Sequence, residues 1–196
     1  MYSAIRWAAD IRCSADPALL HNTDGTAGPD LPFSNLSERL FLRFLNRVEE
    51  TMREIDAKEA GKLLECLEAL ADYHNKVSEH FKGCYPQTPS GQKIAQFESE
   101  LEEGKSRIAV VENESKVTGF CKINTDTGTG VLEYLVVLDC ERGKGHGAAL
   151  MDWALNSFRT LGINSIDVKV VYGNEAIRFY EKYGFRERSV ILTLKR

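Results

Sequence analysis

Within this 196-residue sequence the run Arg142-Gly143-Lys144-Gly145-His146-Gly147 is the part best suited to chemistry. It follows an apolar segment, Leu135-Val136-Val137-Leu138, and precedes an amphipathic one that opens with Ala148. Glycines let the backbone approach an anion closely. The first N–H groups of a helix have no partner within it, and the helix dipole favours negative charge there. Arg142 and Lys144 add positive charge, so the ligand this turn suits is a pyrophosphate. The alternative is a plain strand-to-helix turn with glycines for tightness. A nucleoside-triphosphate loop of the Walker type fails, because Leu138 stands where its leading glycine belongs and Gly145 where its Ser or Thr belongs. A dinucleotide fingerprint, Gly143-x-Gly145-x-x-Ala148, fits superficially. However, the strand before it closes an antiparallel meander instead of opening a βαβ repeat, and Asp167 lies inside the next strand, not at its end.

A second cluster follows: Asn174, Ala176, Phe179, Tyr180, Gly184 and Phe185. Together the two clusters resemble the signatures of the GNAT superfamily of acyl-CoA-dependent N-acetyltransferases. The first pattern there is Gln or Arg, two residues, Gly, one residue, then Gly or Ala, which Arg142, Gly145 and Gly147 fit. The second pairs an Asn with a downstream Ala, a Phe-Tyr pair and a closing Gly-Phe. The resemblance covers roughly residues 52–196, with the motif-grade residues between 131 and 185.

The resemblance implies direct attack of an amine on the thioester of acetyl-CoA, the co-substrate, with no metal. That chemistry has three demands. The amine must lose a proton, since alkyl ammonium groups have pKa values near about 10. The developing oxyanion needs a donor. The leaving thiolate benefits from a proton. Tyr180 matches the position whose phenol faces the sulfur, against the alternative of a packing tyrosine beside Phe179. Leu135, Val136 and Val137 match the strand whose free backbone meets the cofactor, with Val136 or Val137 as the N–H donor. Asn174 matches a side chain that meets the pantetheine arm or ends the splayed strand, and Ala176 and Phe179 accompany it. Arg142, Gly143, Lys144, Gly145, His146, Gly147 and Ala148 form the implied pyrophosphate cradle, with His146 solvated or beside phosphate.

Glu133 is the base candidate, and strict alternation places it on the same face as Leu135 and Val137. Tyr73-His74-Asn75 falls late on a helix that in the superfamily often walls the acceptor site, with helix packing and capping as the alternative. The acidic run Glu98, Glu100, Glu102, Glu103 reads as a solvated helix face, which would favour a cationic amine if it lined the cleft. The acceptor expected is a small-molecule or peptide amine. A non-catalytic acyl-CoA sensor and a nucleotide-binding module are the rival functions.

These residues need positioning elements. Lys58 to about Phe81 is an amphipathic helix with Leu63, Leu64, Leu67, Leu70, Ala71 and His74 on one stripe. Ile94, Phe97 and Leu101 mark a second helix, which Gly104 stops. The period then changes to two: 107–112 and 116–124 form a hairpin, and Val131–Leu138 a third strand. A helix over Gly145–Leu161, a strand over Ile166–Tyr172, a helix over Glu175–Tyr183 and a last strand over Ser189–Leu194 follow, with a short first strand near 50–55. The expected fold is α+β, an α/β sandwich. Its mixed, mostly antiparallel sheet carries helices on both faces and a splayed central strand pair.

Composition sets the outer bounds. With 43% hydrophobic and 28% charged residues, the chain can bury a core and is not wholly disordered. A net charge of −4 argues against nucleic acid as partner. No apolar run is long enough to span a membrane, and no secretory signal is visible, so a cytoplasmic location is expected. Five cysteines without a C-x-x-C pair, and four scattered histidines, argue against a disulfide framework or zinc site. Residues 1–50 read as an N-terminal extension, loop or disordered over 1–33 and a short helix over 35–48, ahead of a domain over 51–196. Leu36, Leu40, Phe44 and Val48 give that helix an apolar stripe, which docks on the core or makes a homodimer contact.

Overall fold

The computed structural model describes residues 52–125 and 128–194. The loop expected over 1–33 and the helix over 35–48 lie outside the described residues. Five strands run β1 (Met52–Glu54), β2 (Ser106–Asn113), β3 (Lys116–Asn124), β4 (Gly130–Val137) and β5 (Ile166–Val168). They pair in sequence order, antiparallel from β1 to β4, with β5 parallel to β4. The β2–β3 hairpin turns on Glu114 and Ser115, both at positive φ. A parallel neighbour needs a crossover, and α3 (His146–Thr160) supplies it between β4 and β5. The α+β reading, mostly antiparallel with one parallel pair, holds.

Each face of the sheet has its own buried cluster. On one face α1 (Leu64–Val77) and α2 (Ser90–Glu102) cover Ile108, Val110, Phe120, Tyr134 and Val136. On the other, α3 and α4 (Ile177–Lys182) cover Cys121, Ile123, Leu132, Leu135 and Val137. Strand alternation sends successive residues to opposite clusters, so both faces of β3 and β4 are apolar.

Several boundaries differ from expectation. The first long helix begins as a 3-10 segment over Ala57–Leu63, which contains the helix-weakening Gly61. It ends at Val77, where Ser78 turns extended, and Leu64 faces solvent. β5 is three residues long: its pairing with β4 ends at Val168, and Val170 beyond it lies in an isolated bridge. The strand expected over Ser189–Leu194 does not form. Among the described residues that segment has no ladder partner, and Val190, Ile191, Leu192 and Leu194 are exposed. Its apolar run, Val190-Ile191-Leu192, favours a strand but pairs with no edge among the described residues.

Candidate active site

The glycine turn is built as a helix start. Gly143 and Gly145 sit at φ +75° and +78°, the left-handed region that side chains rarely enter. Gly145 caps α3, whose first residue is His146. The open N–H groups of this turn therefore face outward from a helix N-terminus, as an anion site requires. Arg142 reaches back to donate from Nε to the Val137 carbonyl at 3.3 Å and pairs with Asp139.

A buried carboxylate that the motif does not announce braces the turn. Glu141 accepts from Asn113 Nδ2 at 3.1 Å and Lys144 Nζ at 3.0 Å, and its Oε2 lies 3.3 Å from His146 Nε2. Burial pushes the Glu141 carboxyl up, but the Lys144 and Asn113 hydrogen bonds outweigh it and hold it below the usual range. Burial lowers the His146 pKa, and Glu141 offsets that only in part, so the ring is neutral at pH 7. His146 is thus a braced, mostly buried side chain and not a solvated one.

β4 and β5 share only Gly130–Leu132 against Ile166–Val168 and then part. Among the described residues, no strand pairing covers the peptides of residues 133–137 that point away from β3. The Leu138 N–H donates to Thr118 O on β3 at 2.8 Å. Peptide direction alternates along a strand, so Val136 also faces β3, while Leu135 and Val137 face the opening. Of the two backbone donors that the sequence leaves open, Val137 is the one on the open side.

Glu133 is not on the face that alternation predicts. The register steps from Lys122 opposite Tyr134 to Ile123 opposite Leu132, leaving Glu133 as the extra residue of a β-bulge. The bulge moves its side chain to the α1/α2 face, away from Leu135 and Val137. There the fully buried Lys122 holds it in an ion pair. The same ammonium pairs with Glu100 of α2 at 2.5 Å and lies 5.0 Å from the Phe97 ring centroid. Glu100 is therefore drawn into a buried pair and does not belong to a freely solvated acidic face.

Tyr180 is 1% exposed and shares its cluster with Leu135 and Val137. Its hydroxyl has no hydrogen-bond partner among the described residues. Burial, and to a smaller degree Cys121, raises its pKa well above 10, so the O–H stays protonated. A buried, partnerless donor is a cost unless something outside the chain accepts from it. Asn174 is buried and accepts the Ala176 N–H at 2.9 Å, closing the turn that starts α4. Ala176 and Phe179 are core residues, the latter packed edge-on against Tyr180 and tilted against Tyr183.

On the α1/α2 face a cavity of about 400 Å³ lies between α1, the 85–90 loop, Tyr134 of β4 and residues 169–171 beyond β5. His74 is buried in its wall, with its ring 5.1 Å from that of Tyr85. Asn75 clamps the loop by bonding both the N–H and the carbonyl of Tyr85, at 3.1 and 2.8 Å. Glu98, Glu100, Glu102 and Glu103 are not among its lining residues. The cavity's own charged groups, Lys93 and Lys169, come from distant parts of the chain and carry no local sequence signature. Among the described residues no cluster of His, Cys, Asp or Glu could hold a metal ion, and no helix is long and apolar enough to cross a membrane.

Residues 104–187 match the family model described as an acetyltransferase (GNAT) domain. Among curated proteins none matches the chain in sequence. Solved structures with the same fold include a Clostridium acetobutylicum predicted acetyltransferase with acetyl-CoA, 17% identical at TM-score 0.60, covering 74% of this chain and 94% of that one. A GCN5-related N-acetyltransferase from Ralstonia eutropha is 15% identical at TM-score 0.61, covering 74% and 97%. The PaiA N-acetyltransferase of Thermoplasma acidophilum, in complex with coenzyme A, is 15% identical at TM-score 0.61, covering 71% and 91%. Residues 104–187 are thus similar to a GNAT acetyltransferase domain, and the chain shares the fold of these solved acetyltransferases. The family match supports acetyl transfer in general terms.

Proposed function

We propose that the protein transfers an acetyl group from acetyl-CoA to a primary amine of a small molecule or peptide by direct attack. The observation that carries this reading is the opening between β4 and β5, which leaves the Val137 peptide free beside the glycine turn at the start of α3. In this reading the turn, with Arg142 and Lys144, holds the pyrophosphate. The edge of β4 pairs with the pantetheine arm, and Asn174 shapes the far side of the opening. The amine nitrogen bonds to the acetyl carbon and the carbon–sulfur bond breaks. The proton lost by the amine leaves through Glu133, which Lys122 fixes on the acceptor face of β4. Tyr180 gives its hydroxyl hydrogen bond, and then a proton, to the departing sulfur, which accounts for an O–H with no partner among the described residues. The catalytic unit is residues 51–196, preceded by an extension over 1–50, and works in the cytoplasm.

A ligand-induced stability series tests this. Acetyl-CoA and CoA should raise the melting temperature, ATP and NAD should not, and adding amines to the acetyl-CoA complex should release CoA. A ligand at a hundredfold its Kd stabilises by about 2.7 kcal/mol, a readily measured shift. Stabilisation without CoA release for any amine class would make the chain a sensor. Stabilisation by NAD or ATP in place of CoA would overturn the assignment of the turn.

A further inference from the structure

The cavity on the α1/α2 face sorts its lining by burial. Its buried members are Leu67, Leu70, Ala71 and His74 of α1 and Tyr134 of β4, each 7% exposed or less. Lys93 is half-buried and Lys169 exposed, so neither belongs to that buried floor. Val170, Val171 and Ile191 add apolar wall nearer the solvent. Ala71 lines the cavity and is part of neither core cluster. The C-terminal segment closes one side with alternate residues: Ile191 and Thr193 line the cavity, while Leu192 between them is 91% exposed and does not. The cavity also reaches the opening in the sheet. Tyr134 follows Glu133 on β4, and Val170 and Val171 lie just past the last β4–β5 pair at Val168. At about 400 Å³ the space is in the range of small-ligand sites.

We propose that the acceptor is a monoamine carried on an uncharged apolar body, an alkyl chain or a single aromatic ring. This inference rests on the acetyltransferase reading and names its substrate class. The body fills the space bounded by Leu67, Leu70, Ala71 and Ile191, and the amine stays at Tyr134, where β4 opens. Every methylene taken out of water there adds to binding. A charge at the far end of the acceptor would lose its water against apolar side chains, which is costly. The cavity therefore selects for apolar length and against a second ammonium. In the transfer the N–C bond forms and the C–S bond breaks, giving the N-substituted acetamide, CoA thiol and, from an ammonium, one proton.

An amine series tests it, read by CoA release at saturating acetyl-CoA: ethylamine through hexylamine, phenethylamine, and 1,6-diaminohexane as the hexylamine analogue with a charged end. The kcat/KM should rise about three- to fourfold per added methylene, the scale of its transfer from water, and phenethylamine should exceed ethylamine by about tenfold or more. Hexylamine should exceed 1,6-diaminohexane by about tenfold or more, because the far charge is desolvated. Ala71→Leu, which fills part of the cavity, should move the optimum to a shorter amine. Ile191→Ser should flatten the slope through KM, while Leu192→Ser, beside it but outside the cavity, should keep it. Ile191 is 58% exposed, so its replacement reads the site even where Ala71→Leu fails to fold. A flat series, a diamine turned over as well as hexylamine, or a slope unchanged by Ile191→Ser overturns the class while leaving acetyl transfer standing. If no amine is acetylated although acetyl-CoA binds, the transfer reading has failed. Calorimetric binding of hexylamine and 1,6-diaminohexane to the acetyl-CoA complex then decides the cavity: tighter binding of hexylamine upholds the apolar site, and equal or weaker binding overturns it.

Discussion

Tyr180 holds a hydroxyl that has no hydrogen-bond partner among the described residues. Its ring is packed by Phe179 and Phe185, at centroid distances of 5.6 and 5.8 Å, and that packing survives replacement by phenylalanine. Tyr180→Phe should therefore leave the melting temperature equal or slightly higher, since a buried group without a partner is removed. Turnover should fall by about one to three orders of magnitude, the scale of acid–base assistance, with acetyl-CoA affinity unchanged. Full turnover in this variant would remove Tyr180 from the chemistry. Glu141 is the opposite case, a carboxylate valued for its partners. Glu141→Gln keeps the shape but weakens the acceptor for Asn113, Lys144 and His146 at once. A loss of about 1–3 kcal/mol in unfolding free energy is expected, measured by urea denaturation. Because its folded pKa lies below the ordinary value, the stability from Glu141 is present above about pH 4.5 and is lost as pH falls through the folded value. The variant should be less sensitive to acid than the parent.

At the scale of elements, the site depends on how closely β3 and β4 approach while β5 departs. Gly119 permits that approach. A Cβ there would lie 2.8 Å from the Val136 carbonyl oxygen and 3.3 Å from Val137 Cα, both backbone atoms that cannot move alone. Gly119→Ala should push β4 out of register beside the Val137 peptide. A loss of about 1–3 kcal/mol in stability is expected, together with weaker acetyl-CoA binding. Gly61→Ala meets nothing within 4 Å and should be neutral or mildly stabilising. A Gly119→Ala protein that binds acetyl-CoA as well as the parent would show that the strand edge is not part of the site. The same elements show what can be read from a sequence. The hairpin, the glycine turn and α3 are legible because each has a local period or a required positive φ. The bulge at Glu133 is not, because one extra residue leaves no mark in composition yet moves the side chain to the other face. Lys93 and Lys169 are illegible for another reason. They share a cavity only through the fold, far apart along the chain. The Ser189–Leu194 segment misled because a run of strand-favouring apolar residues does not by itself supply a neighbouring edge.

For the molecule as a whole, the two-faced sheet places a buried thiol on each side. Cys66 lies in the α1/α2 cluster and Cys121 in the α3/α4 cluster, both inaccessible. Burial pushes the Cys66 thiol up from 9.0 to about 12 and raises that of Cys121 further. In the unfolded chain both would ionise near the ordinary value. A folded pKa above the unfolded one means that stability is fully present below about pH 9 and is lost as pH rises. Each thiol contributes about 1.4 kcal/mol per pH unit in that window, and the two together about 2.7. Tyr180 joins above pH 10, because its folded value is also raised. Two pH units of such loss rival the 5–15 kcal/mol that a typical domain possesses. Urea unfolding at pH 8, 9, 10 and 10.5 should show a flat region to about pH 9 and a steep fall beyond it. Cys66→Ala should remove about half of the initial slope, because one of the two thiols no longer titrates on unfolding. A stability that stays level to pH 10.5 would mean that these thiols ionise in place, and that the two halves of the core are not closed to solvent.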